Sequence, residues 1–298
     1  WVLTEHARRG RFRPVAVEVA FGRPGAAWGP WVIPLAGDRE LRLRGQIDRV
    51  DLARDDAGRV YVRVIDYKSS DRDLQPGLIV HGLSLQLPVY LAVAVQHAAD
   101  LARAAGLPPG VPVHPAGALY FPVREPLLNQ DVPVDGAELD ALLRRSLRMR
   151  GLFIDQPHVL ELMDVRVSGA GSDLLMVKVN KDGRVSRNSN TASLDDFAAL
   201  MEFVRLRLAN LAERILDGEI AVAPYRMGHA RPCSNCPYRG VCQFDSLVEG
   251  NGYRDLPSLD RAAAWEQIHA AGTSAGGAAS AAGEARGVAG PDREGAVP

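Results

Sequence analysis

The chain has 298 residues, 35 Lys and Arg against 36 Asp and Glu, a formal net charge of −1 and a hydrophobic fraction of 47%. That fraction is ample for a buried core, and this length suits one or two domains. There is no global positive field to announce a nucleic-acid partner, so any such contact has to come from local patches. The longest apolar stretch, LPVYLAVAV, is too short to span a bilayer.

The opening segment WVLTEHARRGRFRP is too polar for a signal peptide. Because it starts at Trp1 and not at Met, we expect a further part upstream. Residues 15–21, VAVEVAF, read as a strand. Residues 41–51, LRLRGQIDRVD, alternate apolar and polar positions as a half-buried strand does. The turn RDDAGR and a second strand, VYVRVIDYK, follow, which predicts an antiparallel hairpin ending at Lys68. Residues 83–106 read as a mostly buried helix terminated by Gly106 and two prolines, with Pro88 tolerated in an early turn or at a kink. Further strands are expected at 117–123 and 173–179, and an amphipathic helix at 138–150.

From Leu194 to Asp217, the residues Phe197, Leu200, Met201, Val204, Leu208, Leu211 and Ile215 recur at three- and four-residue intervals. Ser193 with Asp196 predicts a capping box, and Gly218 falls just past the helix end. Beyond about residue 268 the chain is rich in Ala, Gly and Ser, and disorder is expected. The organisation read from this pattern is an N-terminally truncated core at 1–218, a cysteine segment at 219–246 and a tail at 247–298. No G-x-x-x-x-G-K-[ST] loop occurs, so the chain carries no ATPase signature. Two arginine clusters (Arg8, Arg9, Arg11 and Arg13; Arg144, Arg145, Arg148 and Arg150) read mainly as solvated faces, with phosphate contact as the sharper alternative.

Asp48 and Asp66 each fall toward the end of a strand among apolar neighbours, Ile47 and Val50 around one, Val64 and Ile65 around the other. Ionised carboxylates are seldom left in such surroundings unless they are paired or bound to a cation. Two of them on adjacent strands offer a hard, oxygen-rich pocket suited to Mg²⁺ or Mn²⁺. Lys68 lies two residues after Asp66 and so on the same face of an extended strand. An ammonium there can hold an attacking water and stabilise a pentacovalent phosphate.

Gly45-Gln-Ile-Asp-Arg-Val-Asp51, Val64-Ile-Asp-Tyr-Lys-Ser69 and Gln86-Leu-Pro-Val-Tyr90 resemble the successive motifs of the RecB-type PD-(D/E)XK nucleases. The resemblance implies an α/β fold with a mixed central sheet flanked by helices. It also implies metal binding by Asp48, Asp66 and the backbone of Tyr67, with Lys68 catalytic. Gln86 and Tyr90, four apart on one helix face, match the family's glutamine–tyrosine motif and would orient DNA or the lysine. The family also carries a histidine or glutamate on a helix before the first strand. His6 is a loose match to that group, whose true equivalent is expected upstream of Trp1. Glu18 sits in a strand where the family often shows an acid and is read as supporting.

The three cysteines, Cys233, Cys236 and Cys242, fall within ten residues. An odd, tightly spaced set is a poor disulfide framework and a good metal framework, which favours a reducing, cytoplasmic setting. Thiolates select zinc or an iron–sulfur cluster, and His229 could complete a Cys₃His zinc site. The wider text, MRGLFIDQPHVLELMD, KDGRVSRNSNTAS, LDGEIAVAPYR and CSNCPYRGVCQFD, resembles the C-terminus of the AddB family, the second subunits of AddAB-type helicase–nucleases. This implies a [4Fe-4S] cluster whose fourth ligand is outside the chain and a partner of the AddA helicase–nuclease type. It further implies an exonuclease that degrades the 5′-ended strand of unwound, broken duplex DNA in repair and recombination. A free-standing Cas4-like iron–sulfur exonuclease would share these motifs. A non-catalytic DNA-binding or structural module would need Asp48, Asp66 or Lys68 displaced.

Overall fold

The computed structural model describes residues 2–70, 72–123, 135–169 and 171–284. In chain order the elements are α1 (Val2–Arg9), β1 (Arg13–Phe21), β2 (Trp31–Pro34), β3 (Glu40–Leu43), β4 (Gly45–Arg54) and β5 (Val60–Lys68). There follow α2 (Pro76–Val80), α3 (Gln86–Gln96), α4 (Ala98–Ala104), β6 (Val113–Pro122), α5 (Gly136–Ser146), β7 (Arg150–Ile154) and α6 (Pro157–Met163). The last are β8 (Thr191–Ala192), α7 (Leu194–Leu216), β9 (Tyr225–Arg226), α8 (Arg239–Cys242), β10 (Arg254–Asp255) and α9 (Arg261–Glu284).

Six strands form a mixed sheet in the order β1-β4-β5-β6-β7-β8. The expected hairpin is present as β4 and β5, paired antiparallel, and β1 pairs antiparallel with β4 on its other side. The β5–β6 pair is parallel, joined by α2, α3 and α4, and β6–β7 returns to antiparallel. β5 is central and buried from Val60 to Asp66, and its valine-rich run is typical of a strand covered on both faces. One face carries α3, which packs on β5 and β6 with α7 beside it. The other carries α1, where His6 meets the Phe121 ring and Arg9 Nε donates to buried Asp164 at 2.9 Å.

Several elements depart from the sequence reading. The strand expected over 41–51 is divided at Arg44 into β3, which pairs with β2 in a separate two-stranded sheet, and β4. The helix expected over 83–106 breaks at His97, whose ring stacks on Trp28. Pro88 occupies the first turn of α3, where no hydrogen bond is lost. Residues 173–179 bury Leu174, Leu175, Val177 and Val179 but form only isolated bridges, Leu175 to Met149 and Val179 to Val185. Apolar spacing there reports burial and not a ladder partner. The helix expected over 138–150 ends at Ser146, so Arg148 and Arg150 lie beyond it and Arg150 opens β7.

α7 matches its expected bounds, with the Ser193–Asp196 capping box formed and Gly218 at φ +76° after it. In place of the disorder expected from about residue 268, α9 continues to Glu284 and buries Ala264 and Ile268 against the core. Alanine is the strongest helix former, and packing on α7 and α2 anchors the first turns. Residues 285–298 lie outside the described residues. Among the described residues no helix is long and apolar enough to cross a membrane.

Candidate active site

The β4–β5 ladder has its last pair at Arg49 and Ile65. Asp48 and Asp66 stand just beyond it, on the face covered by α3. Asp48 Oδ2 accepts the backbone N–H of Tyr67 at 2.8 Å, which crosses the gap where the ladder has stopped. Asp66 is 2% exposed, and its Oδ2 lies 2.5 Å from Lys68 Nζ. Burial pushes the Asp66 carboxyl above the usual carboxylate range, Lys68 opposes this, and the neighbouring charge of Asp48 adds to it.

α3 completes the arrangement. Lys68 Nζ donates to Gln86 Oε1 at 3.3 Å, and Gln86 Nε2 donates to the Tyr90 hydroxyl at 3.0 Å. The Gln86–Tyr90 spacing puts both on the helix face that meets the lysine. Lys68 Nζ also lies 5.9 Å from the centroid of the Tyr120 ring, a flank that the sequence reading did not single out. Gly45 has a steric reason. A β-carbon there would come within 2.8 Å of the Phe21 ring and 3.6 Å of Tyr90, so only glycine lets β1, β4 and α3 close around the site.

Glu18 falls between Val17 and Val19, the partners of Arg49 and Ile47, and is therefore level with Asp48 on the next strand. Its φ of +48° is left-handed, and its carboxylate accepts from Gln46 Nε2. His6 lies elsewhere. It lines a small cleft with Leu3, Arg49, Arg63, Ile65, Phe121 and Met149 on the α1 side of the sheet. Successive strand residues point to opposite faces, so His6 is across the sheet from Asp48 and Asp66 and does not join them.

The donor set suits a hard divalent cation. Two carboxylates converge, one of them buried with only an ammonium against its inner oxygen. Mg²⁺ keeps several of its waters and needs few protein ligands, which agrees with a site of two carboxylates. No group of three His, Cys, Asp or Glu able to hold a metal occurs among the described residues.

Cys233 sits on a 3₁₀ turn at Pro232–Asn235, Cys236 directly follows that turn, and Cys242 ends α8. Cys233 is half-buried, Cys236 and Cys242 are exposed, and all three are free thiols. Of the two arginine clusters, Arg9 is excluded from solvent contacts by its bonds to Asp164 and Asp173. Arg11 pairs with Asp56, and Arg13 donates to the carbonyls of Gly10 and Phe12.

The sequence profile of the PD-(D/E)XK nuclease superfamily matches residues 1–243. The chain is 44% identical over 270 residues to a protein of Symbiobacterium thermophilum named as a subunit of an ATP-dependent helicase/deoxyribonuclease, covering 91% of this chain and 22% of that one. Proteins of the same name from Moorella thermoacetica and Pelotomaculum thermopropionicum are 45% and 41% identical, over 87% and 90% of this chain. The chain thus spans about 22% of the length of these relatives.

Proposed function

This chain belongs to the PD-(D/E)XK nuclease superfamily, and from that premise we propose that it is the DNA-cleaving part of a helicase–nuclease subunit. The observation that carries the reading is the single cluster of Asp48, Asp66 and Lys68, with Lys68 held by both Asp66 and Gln86. Hydrolysis adds water across a phosphodiester P–O bond and leaves a phosphate monoester and a free hydroxyl. Asp48, Asp66 and the backbone of Tyr67 would hold Mg²⁺ or Mn²⁺, which when bound supplies Lewis acidity and a water of lowered pKa. Lys68 faces the same space and offers its ammonium to the charge that grows on the phosphoryl oxygens. Gln86 fixes the direction of that ammonium, and Tyr90 fixes Gln86.

The relatives are named as subunits of an ATP-dependent helicase/deoxyribonuclease. We extend this to a helicase partner of the AddA type, unwound duplex ends as substrate and the 5′-ended strand as the one degraded, in break repair and recombination. Cys233, Cys236 and Cys242 are proposed to hold a [4Fe-4S] cluster with a fourth ligand outside this chain, the rival being zinc completed by His229.

The test is Lys68→Ala in the full-length subunit with its helicase partner. Loss of this contact should lower cleavage of the 5′-ended strand by about a hundredfold or more, on the order of 3 kcal/mol, while unwinding continues. Unchanged cleavage would return the lysine to a structural role.

A further inference from the structure

Two residues of the Gly45–Asp51 motif, Arg49 and Asp51, have no task in cleavage, and the structure turns both away from it. They lie on the α1 side of the sheet, behind the carboxylate pair. Asp51 is fully buried between two guanidinium groups. Arg49 Nε and Nη2 donate to its two oxygens at 2.6 and 3.0 Å, and Arg63 Nε and Nη2 donate to Oδ2 at 3.0 and 2.8 Å. Arg63 is 2% exposed, with its guanidinium carbon 4.6 Å from the centroid of the Phe12 ring. Two cations, one of them fully enclosed, thus share one carboxylate.

Stability alone is a weak reason for such a group, because desolvating ions often outweighs their attraction and apolar packing does as well or better. Position is a stronger one. Asp51 and Arg63 are direct cross-strand partners, so their bonds tie β4 to β5. Arg49 closes the ladder opposite Ile65, next to Asp48, and its Nη1 lies 3.5 Å from the Tyr67 hydroxyl. Tyr67 is therefore held from both faces: its N–H by Asp48 in front, its ring by Phe121 and Arg49 behind. These contacts take over where the backbone ladder between the two strands has ended.

We propose that Arg49, Asp51 and Arg63 form a positioning unit for the cleavage site, setting the spacing of Asp48 and Asp66 through Tyr67. The inference rests on those carboxylates holding a divalent cation. Residues that hold metal ligands in place commonly control affinity in this way, because a ligand free to swing binds less tightly.

The experiment measures Mn²⁺ binding by electron paramagnetic resonance, thermal unfolding and cleavage in the full-length protein. The variants are Arg49→Lys, Tyr67→Phe, their double and Asp48→Asn. Arg49→Lys keeps the charge but loses the fork that spans Asp51 and Tyr67. Both single variants should stay folded and bind Mn²⁺ about tenfold more weakly, the low end of such effects, with lower turnover at saturating metal. The double should bind no more weakly than Arg49→Lys, since both changes break the same link. Loss of Mn²⁺ in Asp48→Asn alone, with Arg49→Lys and Tyr67→Phe binding within twofold of the parent, overturns the positioning role and leaves the metal assignment standing. Unchanged binding in every variant overturns the metal assignment and the inference with it.

Discussion

Replacing His6 with phenylalanine should stabilise the chain and flatten its response to acid. His6 is 6% exposed, and neither ring nitrogen has a hydrogen-bond partner. Burial pushes the imidazole from 6.5 down to about 3, helped by Arg63, Arg49 and Arg9 and opposed by Asp164. In the unfolded chain the ring takes up its proton near pH 6.5. The folded chain binds it only near pH 3, so between those limits the unfolded state carries more protons and stability falls as pH falls. The slope is about 1.4 kcal/mol per pH unit, so roughly 2 kcal/mol tied to His6 is lost between about pH 7.5 and 5. Phenylalanine has no proton to gain and no orphaned nitrogen, and its ring can lie where the imidazole already meets Phe121 at 5.7 Å. At neutral pH the gain should be about 1 kcal/mol, the cost of a buried polar group left unpaired. Urea unfolding of parent and variant at steps from about pH 7.5 to 5 isolates the histidine, since other titrations cancel in the difference. A difference that does not grow as pH falls would refute the reasoning. Loss of metal-dependent cleavage in the variant would show that His6 acts on the site from behind, through the Arg49 and Arg63 side chains it lies against.

Asp66→Asn should abolish cleavage and, without divalent cation, raise the melting temperature at neutral pH by about 2–4 °C, on the order of 1 kcal/mol. The sign follows from the raised carboxyl: its contribution is lost as pH rises through the folded value, so the ionised form is the costly one. An unchanged or lower melting temperature would mean that the Lys68 pair outweighs burial. Ser193→Ala removes the side-chain bond to the Asp196 N–H and one half of the capping box, and urea unfolding should register a loss of about 1 kcal/mol. For the cysteines, anaerobically purified full-length protein should be brown with about four irons per chain. A colourless protein with one zinc, lost on His229→Ala, would replace the cluster.

What was legible in the sequence follows from how far each signal reaches. The β4–β5 hairpin and α7 are encoded locally, by alternation, by turn chemistry at RDDAGR and by the Ser193–Asp196 cap, and each appears within a few residues of its expected bounds, whereas the helix expected over 83–106 is divided into α3 and α4 at His97. The 173–179 segment shows the limit. Its apolar residues are buried as expected, but whether a buried run becomes a strand depends on a partner that local pattern does not name. Here Leu174 and Leu175 turn their N–H groups to Ser172 Oγ instead of to a neighbouring strand. The short β8 and the return of α9 to the core are likewise set by tertiary contacts, such as Arg261 reaching the carbonyl of Thr191.

The same reasoning separates the two faces of the site. Asp48, Asp66 and Lys68 come together because a period of two on neighbouring strands places them on one side, and that much needs only the pattern. Arg49 and Asp51 obey the same period with the opposite phase, so their place behind the site was also readable. What was not readable was Arg63, since an arginine inside a valine-rich strand has meaning only beside the carboxylate it meets. His6 illustrates the remaining ambiguity: a helix before the first strand can lie over either face of the sheet. The choice is made by Arg9, whose buried bond to Asp164 and part-buried bond to Asp173 dock α1 on the rear side and carry His6 away from the carboxylates. Breaking that dock should therefore destabilise α1 first and disturb the cleavage site only through the Arg49 and Arg63 cluster that His6 covers.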